Sequence, residues 1–224
     1  MKLSSNTTMV LKNFATINQN LVIKEGSELL TMSSMKNIVA KATVEENFPK
    51  EIAIYDLNEF LASLSIFKSP VLEFEEQYLT IKEEDQPHKK LTYFYSDPSV
   101  VQSPTKTITM PSEEVKFHLD MNKLLEMKRA AGVIGSPDMV LQKSSGNSSL
   151  LVKDKKNDTA NNYSSDISTD GDGEYKFFFK VENLKLFAGD YDVKISSKNI
   201  SHFKNDKSNI EYWIALEPES TYSA

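Results

Sequence analysis

A chain of 224 residues is long enough to bury one or two hydrophobic cores. Its 26 Lys and Arg against 32 Asp and Glu leave a net charge of −6, which argues against a dedicated basic nucleic-acid binder but not against loose contact through a local patch. The absence of cysteine excludes disulfides, thiolate metal sites and cysteine nucleophiles.

In chain order, TTMVLKNFATIN (Thr7–Asn18) is predicted as a helix that the Thr-Thr pair can cap. Val10, Phe14 and Ile17, at spacings of four and three, mark its apolar face. LVIKEG, SELLTM, NIVAKATV and EIAIY follow as strands, with Glu25-Gly26 as a turn. Asp56 is then expected to cap a helix running to about Phe67, with Leu57, Phe60, Leu61 and Leu64 buried and Pro70 ending it. Residues 71–82 and 90–95 alternate as strands around a polar turn, QPHK, at 86–89. Tyr93, Phe94 and Tyr95 either pack at a subunit edge or fill a core. DPSVVQSPTKTITMP (Asp97–Pro111) is rich in Pro, Ser and Thr and has little periodicity. It reads as a connector and places the domain boundary, giving domains of residues 1–110 and 111–224.

The second half opens with the strand EVKFHL, then Asp120 as a helix cap. Leu124, Leu125 and Met127 are expected inside and Gly132 at the C-terminal end. A Ser/Gly/Asn turn at 144–149 joins two strands, and the polar stretch 154–174 reads as loop. EYKFFFKV is a strand followed by a short helix from Val181, then Gly189 turns into YDVKI. IEYWIALE is the most aromatic strand, and a polar tail closes the chain.

A helix followed by a hairpin of alternating strands thus recurs four times, from Thr7, Asp56, His118 and Val181. The fold class that follows is α+β: two similar domains of antiparallel sheet with two helices each. Such domains leave strand edges unpaired, and head-to-tail pairing of edges between copies generates a closed ring where the rotation allows.

Nothing in the chain reads as a catalytic centre. His88, His118 and His202 lack ligand spacing, and Asp170-Gly-Asp-Gly-Glu lacks the later ligands of a calcium loop and reads as a turn. No nucleophile elbow, Walker loop or dinucleotide glycine pattern occurs, so no enzyme activity, cofactor or metal is expected. No run approaches about 20 apolar residues, so neither a membrane span nor a membrane partner is expected. No N-terminal apolar run follows a basic segment, so no signal peptide is expected.

MKLSSNTTMVLKNFATIN, then AIYDLNEFLASLS, the DPSVV–P segment, GDYD and the closing YWIALEPEST recur in the order found in the T-even phage sliding clamps. The chain resembles that family of DNA polymerase processivity factors from its first residues to its last few. The resemblance implies a non-enzymatic homotrimeric ring, two like domains per subunit, with helices lining a hole around double-stranded DNA. It implies DNA polymerase and an ATP-using clamp loader as partners, contact with the late-transcription machinery, and the cytoplasm of an infected bacterial host. The DNA-facing residues it implies are Lys2, Lys12, Arg129 and Lys185, to which the charge on the third predicted helix adds Lys123 and Lys128. Ser5 stands where a lysine is expected, and Glu126 where an arginine is expected, with Lys128 as the replacement. Tyr212, Trp213 and Ile214, with the tail Glu217–Ala224, either form a core strand with a frayed end or border a hydrophobic pocket that takes a partner's C-terminal peptide, as in clamps generally. The competing reading is a virion or scaffold protein that uses the same repeated sheets for assembly.

Overall fold

The structure, a computed structural model, describes residues 1–104 and 108–223, so part of the Asp97–Pro111 connector, residues 105–107, lies outside the described residues. Two compact units divide the chain, Met1–Thr107 and Ile108–Ala224.

The first unit opens with helix α1 (Ser5–Ile17). Its cap is Ser4, whose hydroxyl accepts from Thr7 N–H at 3.1 Å, and not the Thr7-Thr8 pair. Thr7 instead sits buried in the first turn, where its hydroxyl donates to the Glu46 carboxylate. That carboxylate also takes the Ser4 N–H. Burial opposes ionisation of Glu46, but the bonds from Thr7 and Ser4 outweigh it and hold the carboxyl below its ordinary value. Val10, Leu11, Phe14 and Ile17 form the buried face.

Strands β1 (Leu21–Ile23), β2 (Gly26–Met32), β3 (Ile38–Phe48) and β4 (Ile52–Ile54) pair antiparallel in the order β4-β1-β2-β3. Helix α2 (Leu57–Ser65) is capped by Asp56, whose carboxylate accepts from Asn58 and Glu59 N–H at 2.9 and 3.2 Å. Leu57, Phe60 and Leu64 are buried as the spacing requires, whereas Leu61 is half-buried. Pro70 opens a strand five residues past the helix end. The second sheet is β5 (Pro70–Phe74), β6 (Tyr78–Glu83) and β7 (Gln86–Phe94). QPHK belongs to β7, not to the turn, which is the Glu84-Asp85 pair just before it. Tyr93 packs edge-on against Phe60 at 5.3 Å and so joins α2 to this sheet. Phe94, one residue on, points the other way and is exposed.

In the second unit β8 (Val115–Leu119) leads into α3 (Met121–Ile134), capped by Asp120 through Lys123 N–H at 2.8 Å. The helix passes Gly132 and stops at Gly135, whose φ of 67° is the left-handed conformation that ends a helix. Leu125 faces out, 49% exposed, because Leu124 and Met127 already fill the inward stripe. Strands β9 (Asp138–Ser144) and β10 (Asn147–Lys153) are joined by Ser145-Gly146, both at positive φ as a two-residue hairpin demands.

The polar stretch 154–174 contains a strand, β11 (Tyr163–Asp166), which pairs with β10. β12 (Glu174–Lys180) pairs with β9, and the tail returns as β16 (Thr221–Ser223) along the other side of β12. The sheet order is β11-β10-β9-β12-β16. The expected fourth helix is only a 3₁₀ turn, Val181–Asn183. Its cap position is Lys180, which makes no side-chain capping bond. Gly189 leaves under three helical turns, and isolated helices below about 12 residues are marginal. Three α-helices therefore stand among the described residues. Strands β13 (Tyr191–Ser196), β14 (Ile200–Asn205) and β15 (Ile210–Ala215) continue antiparallel from β8. Tyr191, Phe203 and Tyr212 meet edge-to-face at their centre.

Candidate nucleic-acid interface

Helix periodicity decides which side chains α1 and α3 offer to solvent. The exposed stripe of α1 is Ser5, Met9, Lys12 and Thr16. That of α3 is Asn122, Leu125, Arg129 and Val133. Each stripe carries one cation, and neither Lys12 nor Arg129 makes a hydrogen bond or ion pair with any other described residue. α2 offers Asn58, Glu59, Ala62 and Ser65, with no cation.

The other four cations are placed differently. Lys2 pairs with Glu84 at 2.5 Å, an exposed bridge that compensates its charge locally. Lys123 donates to Ser165 Oγ on β11 and lies 3.5 Å from Glu126. Lys128 turns inward to donate to Leu184 O at 3.1 Å, and burial lowers its pKa. It therefore does not replace the cation absent at position 126. Glu126 takes the Tyr163 hydroxyl at 2.6 Å, a bond that holds its carboxyl below the ordinary value. Lys185 is half-buried just past the 3₁₀ turn instead of on a helix face. The geometry thus brings Lys123 and Glu126 onto β11 and leaves Lys12 and Arg129 outward.

Alternation along β15 divides the aromatic triplet. Tyr212 and Ile214 are fully buried, and the Tyr212 oxygen accepts from Phe187 N–H at 3.0 Å. They are core side chains and cannot border an open pocket. Trp213 points to the other face, where its ring stacks on His202 at 4.9 Å and 16°. His202 in turn meets Glu211 at 2.8 Å.

Unpaired edges are expected from the sequence, but not which strands supply them. β7 is bonded to β6 on one side and carries no strand on the other among the described residues, and β11 stands likewise beside β10. These edges differ in chemistry. β7 exposes His88, Lys89 and Lys90; β11 exposes Tyr163, Ser164 and Asp166, with Asp158 close in the chain. The only signals for β11 in the sequence were Tyr163 and Ile167, two apolar residues in a polar run.

Residues 2–101 match the family described as DNA polymerase processivity factor, and residues 116–218 match the gp45 sliding clamp, C-terminal family. The sliding clamp of Vibrio phage KVP40 is 32% identical over 97% of this chain and 99% of its own length. That of Enterobacteria phage T4 is 29% identical over 99% of both chains. Among solved structures, the proliferating cellular nuclear antigen of Entamoeba histolytica superposes with a TM-score of 0.68 at 12% identity, covering 96% of this chain and 97% of its own. At that identity the likeness concerns the fold alone.

Proposed function

The chain belongs to the sliding-clamp family of phage DNA polymerase processivity factors, and from that premise we propose how it holds DNA: by enclosure, with Lys12 and Arg129 as its DNA-facing cations. It is not an enzyme; it is a ring component that keeps DNA polymerase on its template. A virion or scaffold role has no support beside an end-to-end match to clamps.

The observation that carries the mechanism is the scarcity of unpaired cations on the helices. Two per chain, six in a trimer, supply phosphate contacts whose strength falls steeply with salt, so they do not by themselves hold DNA through a high-salt wash. The net charge of −6 per chain opposes any approach of DNA to the outer surface. Retention then comes from topology. Few, sequence-independent contacts leave the ring able to slide. A polymerase tethered to it rebinds as an intramolecular event at high effective concentration.

The ring is a homotrimer of head-to-tail copies, in which β7 of one copy adds to β11 of the next. The two edges are different surfaces, so the contact is heterologous and closes into a three-membered ring when each copy turns by a third of a circle. Lys89 and Lys90 on β7 meet the acidic flank of β11, Asp158 and Asp166. The two units serve as N- and C-terminal clamp domains, divided within the connector. A clamp loader opens the ring, late-transcription proteins share it, and it works in the cytoplasm of the infected host. Trp213 contributes to partner contact.

The interface assignment is tested by Lys89→Glu with Lys90→Glu. Like-charge juxtaposition is expected to weaken assembly at least about tenfold, read as a fall from trimer to monomer mass by light scattering at fixed concentration. Adding Asp158→Lys and Asp166→Lys is expected to restore it. An unchanged mass for the lysine double variant contradicts this pairing.

A further inference from the structure

After β15 the chain runs back along β12. Glu217 N–H donates to Phe178 O at 2.9 Å, and Phe178 N–H donates to Ser220 Oγ at 3.0 Å. β16 then sets Thr221 opposite Lys176, Tyr222 opposite Tyr175 and Ser223 opposite Glu174. The side chains dock as well. Lys155 Nζ lies 2.7 Å from the Glu217 carboxylate and 2.9 Å from that of Glu219. The Tyr222 ring stacks over Phe177 at 6.5 Å and 13°.

Without this segment, β12 would be an edge of its sheet with unpaired backbone groups. The surface beneath is a built one. The Lys155 side chain is only 9% exposed, and its Nζ and that of Lys176 lie 5.9 and 5.4 Å from the same Phe178 ring. Lys180, bonded to the buried Asp138 at 2.7 Å, stands 3.8 Å from Glu217. The segment itself covers Lys155, so its release opens the ammonium to water and takes both carboxylates from it, and an acidic segment that docks there regains those two contacts. Yet the segment itself is slight: a three-residue strand, with Thr221 and Ser223 exposed. Short strands with little buried area open at far lower cost than the core.

We infer that the outer edge of β12 is a strand-addition site. The chain's own residues 217–223 fill it in cis, and an extended segment of a partner protein fills it in trans. That partner segment carries two carboxylates two residues apart, then a hydroxyl, then an aromatic ring, as the cis segment does. Main-chain pairing supplies affinity, and the Lys155 and Phe177 contacts supply selection. The tethered cis segment holds the site mostly filled, so the partner's apparent affinity falls by the open fraction. The C-terminal segment is thereby a regulator of docking as well as a cover for the edge.

The test uses the full chain with Glu217→Gln, Glu219→Gln and Tyr222→Ala, which weakens the cis segment and leaves the groove intact. The probe is a fluorescent synthetic peptide with the sequence of residues 217–223, titrated by anisotropy. The peptide is expected to bind the triple variant at least about tenfold more tightly than the unmodified chain. Adding Lys155→Ala is expected to remove that gain. Equal affinity for both chains, or no binding to either, overturns the inference. Amide exchange on the unmodified chain gives a second reading. The Phe178 amide, bonded to Ser220, is expected to exchange at least about tenfold faster than the amides of β9; equal protection overturns the inference too.

Discussion

Polymerase stimulation is expected to fall at least about tenfold when Lys12→Glu and Arg129→Glu are combined, with ring mass and thermal stability unchanged. Both residues lie on exposed helical stripes and make no polar bond to another described residue. Reversing them therefore removes no hydrogen bond or ion pair, and what changes within the fold is the field of Arg129 at the Tyr163 hydroxyl. Lys128→Glu is the contrasting case. Its side chain is turned inward to Leu184 O, so a carboxylate there would lose a hydrogen bond and bury a charge. Its expected signature is lost stability, with activity falling only as the folded fraction falls. Full stimulation by the Lys12/Arg129 double variant would remove these two residues from the DNA-facing set.

Tyr212→Ala is expected to cost the second unit about 3–5 kcal/mol, the range for truncating a large buried aromatic. Tyr212 is fully buried, packs edge-to-face on Tyr191 at 6.0 Å and accepts the Phe187 N–H. Its loss leaves both a cavity and an unpaired donor. Trp213→Ala, one residue along, is expected to cost far less. Its ring stacks on His202 at the opposite face of the strand, where a void fills with water. The measurement is denaturant unfolding of both variants, followed by polymerase binding of each at a temperature where both are folded. Tyr212→Ala is expected to lose stability but keep binding, and Trp213→Ala to keep stability but lose binding. The reverse pattern would return Tyr212 to the partner surface and make Trp213 structural.

Local chemistry was readable from the sequence, and tertiary chemistry was not. Asp56 and Asp120 were identifiable as caps because an N-cap carboxylate serves amides two or three residues away. Ser4 was overlooked because two threonines stand nearer the apolar stripe; only Glu46, on a distant strand, explains why Thr7 is inside the helix. The 181–190 segment misled because Val181, Leu184 and Phe187, spaced by three, suit a helix as well as a 3₁₀ turn followed by irregular chain. β11 and β16 gave little pattern because their pairing partners, β10 and β12, supply what holds them. The candidate cations divided for the same reason. Lys123, Lys128 and Arg129 sit on one helix within seven residues. Whether each faces outward depends on Ser165 and Leu184, which no local pattern connects to them.

Enclosure of DNA by a closed ring is tested by retention of the loaded chain on circular duplex compared with the same duplex cut once. After loading by a clamp loader and ATP, the chain is expected to stay on the circle through a high-salt wash and to run off the cut ends of the linear form. Equal loss from both, or equal retention on both, would mean that contacts and not topology hold the chain on DNA, and would contradict enclosure.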